Sequence, residues 1–351
     1  MTRSRALHQI KIESTGRVFK ARPGETILAA ALRQGIVLPY SCKNGTCASC
    51  KCQVISGGVD YPYNPPSALD WEDLGSSHAL TCQAVPNGDL IIEARELKQV
   101  ADISVRKLPA RVEDLHLFTP EIMRVRIKLP KAARLQFLAG QYIDILLPEG
   151  KRRAFSIASP PSEADYLELH IKYVDGGGFT KHVFEGMVEK EILRLEGPLG
   201  TFFVRRSSDR PMILMGGGTG FAPLKAMIEE IVHDVQTHTG EDEPPPRPIT
   251  LYWGVSKASD LYANALIEHW SETLVNFRFV PVLMDPDPQW SGHVGFVHEQ
   301  VVKDHPDLSA FDVYMSGPPP MIHAARNRFI EAGLPEDRLF YDSFDFAADV
   351  P

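Results

Sequence analysis

The chain has 351 residues, 44% apolar and 23% charged, with a formal net charge of -8. That length suits two or three domains rather than one, and the composition is that of a folded, soluble protein. The acidic balance, with no long basic run, excludes general binding to nucleic acid. The charge is uneven: residues 1–100 hold 11 Lys and Arg against 9 Asp and Glu, net +2, leaving 26 against 36, net -10, for the rest. We read that as ordinary surface variation. No apolar run nears the ~20 residues of a membrane-spanning helix. The opening Met1-Thr-Arg-Ser-Arg-Ala-Leu-His lacks the apolar core and cleavage site of a secretory signal, so a cytoplasmic protein with no membrane contact is expected.

Alternating strands are predicted at Gln9-Ile-Lys-Ile and Arg17-Val-Phe-Lys. A helix follows from Thr26, with Ile27, Leu28, Ala31 and Leu32 apolar, and stops at Gly35. All five cysteines precede residue 83, and four fall in the eleven residues Cys42 to Cys52. Disulfides are out of place in a large cytosolic chain, so the crowding predicts a ligand cluster. Cys42-x4-Cys47-x2-Cys50, with Cys82 thirty-two positions on, has the spacing of a plant-type [2Fe–2S] site. Each iron needs two thiolates, and the mostly small filler residues Lys43, Asn44, Gly45, Thr46, Ala48 and Ser49 let backbone N–H groups approach the sulfurs. A structural zinc site also uses four cysteines, but zinc knuckles favour two separated pairs. Cys52 lies outside the spacing and reads as a small buried residue. A strand near Gln53-Val-Ile, a loop rich in Pro and Tyr, and a strand Leu90-Ile-Ile-Glu-Ala complete a first domain, 1–98. Glu96 to Lys107 reads as a hinge.

A second domain, 106–206, is dense in short alternating strands such as Arg124-Val-Arg-Ile-Lys-Leu, Gln141-Tyr-Ile-Asp-Ile-Leu and Glu168-Leu-His-Ile-Lys-Tyr-Val, which predicts an antiparallel barrel. A third, 207–351, alternates the apolar runs Met212-Ile-Leu-Met, Ile249-Thr-Leu-Tyr-Trp, Phe277-Arg-Phe-Val-Pro-Val and Phe311-Asp-Val-Tyr-Met with helical stretches. That is the pattern of a doubly wound parallel sheet. The proline-rich segment Glu241 to Pro248 reads as a surface loop. Met212-Ile-Leu-Met, the turn Gly216-Gly-Gly-Thr-Gly-Phe-Ala-Pro and a helix over Leu224 to Val232 with Pro223 at its first position form strand, glycine turn and helix, a dinucleotide phosphate cradle. The fingerprint G-x-G-x-x-G is not met, since Phe221 stands at its third glycine.

Leu38-Pro-Tyr-Ser-Cys-Lys-Asn-Gly-Thr-Cys-Ala-Ser-Cys resembles the ferredoxin domain at the N-terminus of many flavin reductases, which implies a β-grasp fold. Arg153-Ala-Phe-Ser matches the Arg-x-(Tyr/Phe)-Ser motif of the ferredoxin–NADP reductase superfamily. There Arg153 suits a flavin pyrophosphate, Phe155 packs on the ring system and Ser156 reaches the reactive nitrogen. Lys172-Tyr-Val-Asp-Gly-Gly-Gly-Phe-Thr resembles the family's flavin-phosphate loop, giving Gly177, Gly178 and Thr180 that role and adding His170 and Lys172 to the cofactor set. FAD is expected over FMN because the resemblance implies it.

In the same family Gly216, Gly217, Gly218, Thr219 and Gly220 bind the nicotinamide nucleotide, with Thr219 near its ring. Tyr252-Trp-Gly-Val-Ser and Met315-Ser-Gly-Pro-Pro-Pro-Met stand at later strand ends, which nominates Tyr252, Gly254, Ser316, Gly317 and Pro318. Ser316 replaces the family's common cysteine. Phe340-Tyr-Asp-Ser-Phe resembles the family's closing segment beside the flavin, with Asp342 and Phe344 at the matching positions. Ser156, Thr219, Ser316 and Asp342 are the expected catalytic set. The stretch Val255-Ser-Lys-Ala-Ser-Asp-Leu has one Lys257 and one acid, which favours NADH over NADPH.

There is no Gly-x-Ser-x-Gly, His-Glu-x-x-His or Walker loop. His170, His182 and His293 read by themselves as core or surface residues rather than metal ligands. The expected function is therefore electron transfer from NADH through FAD and a [2Fe–2S] cluster to a partner protein, the oxygenase of a mono- or dioxygenase system, from a monomer. Gln136-Phe-Leu-Ala-Gly-Gln-Tyr-Ile-Asp-Ile-Leu-Leu and Glu196-Gly-Pro-Leu-Gly-Thr-Phe-Phe resemble CDP-6-deoxy-glucoseen reductases, so a sugar dehydratase is the alternative partner. A non-catalytic ferredoxin-like carrier is the alternative of another class.

Overall fold

The structure, a computed structural model, describes residues 7–62, 67–69, 77–131, 133–163, 165–237 and 246–344. Residues 241–245 of the expected proline loop and 63–66 of the loop rich in Pro and Tyr lie outside that range. Two compact units divide at Ser104 and Val105.

The first unit holds β1 (His8–Ile12), β2 (Val18–Ala21), α1 (Ile27–Arg33), β3 (Lys51–Ser56), β4 (Val59–Asp60), β5 (His78–Leu80), β6 (Val85–Pro86) and β7 (Leu90–Glu93). Its main sheet runs β2-β1-β7-β3-β5, with β1 parallel to β7 and its other pairings antiparallel. Thr26 caps α1, its hydroxyl accepting from the Ala29 N–H at 3.3 Å. The helix lays Ile27, Leu28, Ala30 and Ala31 on Ile10, Ile12, Phe19 and Ile92 of the sheet. This is the β-grasp arrangement, and it leaves the cysteine loop as the connection from α1 to β3.

The second unit begins with β8 (Arg106–Thr119), β9 (Ile122–Lys128), β10 (Tyr142–Leu146), β11 (Arg152–Ser156), β12 (Tyr166–Lys172), α2 (Gly178–Glu185) and β13 (Ile192–Leu199). The strand order is β11-β10-β13-β8-β9-β12, all antiparallel. The two edges meet just beyond β11, where Ala158 N–H donates to the Glu168 carbonyl at 2.8 Å, closing the sheet into a barrel.

The remainder is a parallel sheet: β14 (Met212–Gly217), α3 (Phe221–Thr237), β15 (Ile249–Val255), α4 (Asn264–Thr273), β16 (Phe277–Leu283), β17 (His293–Val294), α5 (Val297–Asp304), β18 (Asp312–Gly317), α6 (Pro319–Glu331) and β19 (Leu339–Ser343). Its order is β17-β16-β15-β14-β18-β19. Helix α3 corrects the predicted boundary: it starts at Phe221 rather than Pro223 and runs to Thr237. Pro223 still falls in the first turn, where its missing N–H has no intrahelical acceptor to lose.

Helix α3 also carries a charge into the core. Lys225 is 8% exposed, and its Nζ lies 3.2 Å from Glu168 Oε1, 2.7 Å from Glu229 Oε2 and 3.0 Å from the Ala158 carbonyl. It thereby ties the nucleotide helix to both closing strands of the barrel. Burial raises the pKa of the Glu168 carboxyl, but the hydrogen bond from His170, the Lys225 charge and the Arg126 guanidinium outweigh it and hold the group well below the ordinary range. A depressed folded pKa gives stability that is present above the unfolded value and lost as pH falls below it. Glu168→Gln is expected to destabilise this unit by about 3 kcal/mol at pH 7. In thermal melts across pH, the deficit against the native chain should narrow as pH drops below the ordinary carboxyl value of 4.5.

Candidate functional site

In the first unit, Cys47, Cys50 and Cys82 are buried and Cys42 is partly so. Lys43 (φ 58°) and Ala48 (φ 57°) take the left-handed conformation that a side chain resists. Three bonds hold the loop there: Gln83 Nε2 to the Lys43 carbonyl at 2.8 Å, Ala68 N–H to Gly45 O at 3.1 Å, and Thr81 N–H to Cys50 O at 3.1 Å. The thiols stand as two pairs. Cys47 donates to Cys42 and Cys50 to Cys82, which lowers the pKa of each acceptor and raises that of each donor. The N–H groups of Asn44 and Thr46 reach the Cys42 sulfur, and that of Gly45 reaches Cys82.

Two thiol pairs are what a two-iron cluster requires. The donor set fits a [2Fe–2S] cluster. Burial pushes the Cys52 thiol up to about 12, so it stays protonated and apart from the set.

In the second unit, Arg153, Phe155 and Ser156 lie on β11. Phe155 packs on Phe179 of α2 with ring centroids 5.6 Å apart, which brings the Arg-x-Phe-Ser strand to the glycine loop. Gly177 caps α2, and a Cβ there would meet Thr180 Oγ1 at 2.7 Å. The Thr180 hydroxyl is 3.1 Å from the carbonyls of both Val174 and Gly177, so it shapes the loop from within. Gly178 opens α2, Lys172 Nζ lies 3.7 Å from Glu121, and Arg153 Nη1 donates to the Arg152 carbonyl at 2.8 Å. The loop geometry and the Arg153 charge fit a flavin with its phosphates.

The parallel register lines up the nucleotide-side residues. Gly216 lies opposite Ser316 and Ser316 opposite Asp342; Gly217 lies opposite Gly254 and Gly317 opposite Ser343. All stand at the carboxyl ends of β14, β15, β18 and β19, where open α/β sheets bind ligands. Thr219 follows in the 3-10 turn Gly218–Gly220, and Pro318 caps α6. Ser156 on the barrel donates to Asp342 Oδ2 at 3.3 Å, and the Phe344 N–H donates to the Gly317 carbonyl at 3.3 Å. The barrel motif and the sheet ends thus meet. Ser316 is fully buried, and among the described residues its Oγ has no hydrogen-bonding partner. A buried orphan hydroxyl costs about 1–3 kcal/mol, which fits a group placed for a ligand such as the nicotinamide nucleotide.

Two nominated side chains have partners within the fold. His170 is buried, with Nε2 3.0 Å from Glu168 Oε1 and Nδ1 3.0 Å from the Tyr262 hydroxyl; burial lowers its pKa and keeps it neutral. Both ring nitrogens are used by the fold. Tyr252 is fully buried and donates to Asp304 Oδ2 at 2.9 Å. Sequence reasoning missed Lys225, although a lysine among Leu224, Met227 and Ile228 on an apolar helix face was a visible signal.

Three family models match in chain order: a 2Fe-2S iron-sulfur cluster binding domain over residues 10–87, an oxidoreductase FAD-binding domain over 109–204 and an oxidoreductase NAD-binding domain over 214–327. The chain is 37% identical to a CDP-6-deoxy-L-threo-D-glycero-4-hexulose-3-dehydrase reductase of Yersinia pestis, covering 95% of this chain and 98% of that protein. It is 38% identical to the reductase component of phenol 2-monooxygenase from Pseudomonas sp. strain CF600, covering 97% and 96%. Among solved structures, an Amycolatopsis cytochrome P450 reductase matches with a TM-score of 0.75 at 34% identity, covering 96% of this chain and 98% of that one. No helix of the described residues is long and apolar enough to cross a membrane.

The cysteine pairs separate ligand from bystander. Cys82→Ser should abolish the visible iron–sulfur absorbance and bound iron, whereas Cys52→Ala should keep both, as measured by iron and sulfide assay on the purified chains.

Proposed function

Because the chain belongs to the iron–sulfur flavoprotein reductases of the ferredoxin–NADP reductase superfamily, with an N-terminal ferredoxin domain, we propose that it draws on NADH and delivers electrons to the oxygenase component of a mono- or dioxygenase system. It is an oxidoreductase whose electrons pass from a nicotinamide through FAD to a [2Fe–2S] cluster and on to an accepting protein. Bound in these sites, the flavin accepts two electrons as hydride and the cluster carries them one at a time.

The observation that carries the site assignment is the Ser156–Asp342 contact at 3.3 Å, which sets the barrel motif against the strand ends holding Gly216 and Ser316. In this reading Cys42, Cys47, Cys50 and Cys82 hold the cluster, while Arg153, Phe155, Gly177 and Gly178 hold the flavin. Gly216 to Gly220, Gly254, Gly317 and Pro318 receive the nucleotide. Ser156 and Asp342 fix a hydroxyl at the meeting point, and Ser316 and Thr219 supply hydroxyls from the nucleotide side. Accessory roles for Lys172, Thr180 and Phe344 act through the loops they hold.

Support for NADH comes from the loop after β15. Asp260 Oδ2 accepts from the Lys257 N–H at 2.9 Å, which stations a carboxylate just beyond the strand end. An acid there suits a ribose hydroxyl and repels a 2′-phosphate. The 37% identity to a CDP-hexulose dehydrase reductase favours a second reading, in which the acceptor is a sugar dehydrase.

Anaerobic stopped-flow mixing with NADH, then NADPH, tests the route and the coenzyme. Flavin bleaching followed by cluster reduction, faster with NADH, is the expected result; Asp260→Ala should narrow the preference by about tenfold, as the loss of one charge contact. Reduction by neither nucleotide would leave the carrier reading in its place. Turnover with a phenol-type oxygenase component against a CDP-sugar dehydrase separates the two acceptors.

A further inference from the structure

The tryptophan between Tyr252 and Gly254 has an unassigned role in the glycine turn. Trp253 is fully buried and stacks on Phe221, the first residue of α3, with ring centroids 4.1 Å apart and planes 12° apart. Its indole Nε1 donates to the Gly218 carbonyl at 2.9 Å. The same carbonyl accepts from the Phe221 N–H, so both of its lone pairs are engaged on the inner side of the turn.

The consequence follows from peptide geometry. In a planar trans peptide the carbonyl and the next N–H point in opposite directions. Fixing the Gly218 oxygen toward Trp253 therefore turns the Thr219 N–H away from it. Gly218 has φ +53°, and an added Cβ there would meet nothing within 4 Å, so the turn is open at that point. A flip of this peptide would rotate ψ of Gly218, which glycine permits, and drive φ of Thr219 positive, which a β-branched residue resists; the carbonyl's two bonds add to that preference and narrow the orientation further.

We infer that Trp253 is a positioning residue for the nicotinamide nucleotide, holding the Gly218–Thr219 peptide in the one orientation that presents the Thr219 N–H to the bound anion. This inference rests on the reading that the Gly216–Gly220 turn receives the nucleotide. Trp253 itself touches no ligand; it acts through a backbone carbonyl.

The test is rapid anaerobic reduction of the full flavin- and cluster-loaded chain by NADH, read as the Kd from the concentration dependence and as the limiting rate of flavin bleaching. Trp253→Phe keeps an aromatic ring on Phe221 and removes the N–H. It should raise the Kd about fivefold, the worth of one orienting hydrogen bond, with the limiting rate within twofold and the melting temperature and flavin content unchanged. Gly218→Asp is the control on the turn: Asp tolerates the left-handed conformation, and its charge at the open point should raise the Kd at least about tenfold by repelling the pyrophosphate. If Gly218→Asp weakens NADH and Trp253→Phe does not, the positioning role is overturned and the nucleotide assignment stands. If both bind NADH as the native chain does, the assignment of the turn is lost and the inference with it. Should Trp253→Phe lose flavin or melting temperature, benzothienylalanine at position 253, a near-isostere with sulfur in place of the N–H, decides. A native Kd in that variant overturns the role, and a raised one upholds it.

Discussion

A Cβ on Gly220 would lie 2.1 Å from the carbonyl oxygen of Ser316, and that backbone approach sets the level at which the parallel sheet ends. With no side chain in the way, the turn after β14 settles onto the end of β18, and α3 can begin at once. Gly217 makes room for Met321 in the same manner, a Cβ there meeting its sulfur at 2.6 Å, and Gly254 makes room for Val297 at 2.8 Å. Packing alone requires glycine at these positions. Once neighbouring elements are drawn in, β15, β14, β18 and β19 end in a row, and the hydroxyls of Ser316 and Ser156 and the carboxylate of Asp342 are left facing one region.

The barrel is fastened to this sheet by charge rather than by apolar area alone. Lys225 leaves α3 one turn beyond the glycines and reaches Glu168 on β12 and the Ala158 carbonyl just past β11. Ala158 is two residues from Ser156, so the bond that fixes the helix also fixes the strand end carrying the motif hydroxyl. His170 and Tyr262 complete the network, and Phe118 stacks on Tyr262 at 4.8 Å. A buried ion pair adds little net stability over an apolar substitute, yet breaking it on one side is expensive. Such a contact suits a place where relative orientation matters more than strength.

The periodicity of each segment disclosed most of this architecture, because strands and helices are local events. The helix capped by Thr26, the barrel strands around Arg124 and Glu168, and the four parallel runs all stand where alternation put them, within a few residues. The cysteine spacing was legible for the same reason: three cysteines on one loop constrain each other through a short stretch of chain. What was illegible involves partners distant in sequence. Whether His170 faces a cofactor or Glu168 and Tyr262 depends on a residue 92 positions away. Tyr252 and Trp253 are adjacent on β15, so they project to opposite faces. Sequence alone gives no means of telling which face meets α5 and which meets the glycine turn. Tyr252 donates to Asp304 on α5 and Trp253 to the Gly218 carbonyl, a division that only the fold discloses.

The cysteine loop and the glycine turn are stabilised by opposite logics that follow from what each must hold. A cluster held by Cys42, Cys47, Cys50 and Cys82, as proposed, would be resident, so its loop could carry left-handed Lys43 and Ala48, that strain being met once, on assembly, by ligation and by hydrogen bonds to the sulfurs. A nicotinamide nucleotide arrives and departs at every turnover. Any ordering left to the moment of binding would recur each time and subtract from affinity. If the Gly216–Gly220 turn receives the nucleotide, as proposed, the turn has to be set in advance, and the Gly218 carbonyl is satisfied twice from below with the open side at Gly218 left clear. Strain is tolerable where the ligand stays, and preorganisation is needed where it leaves.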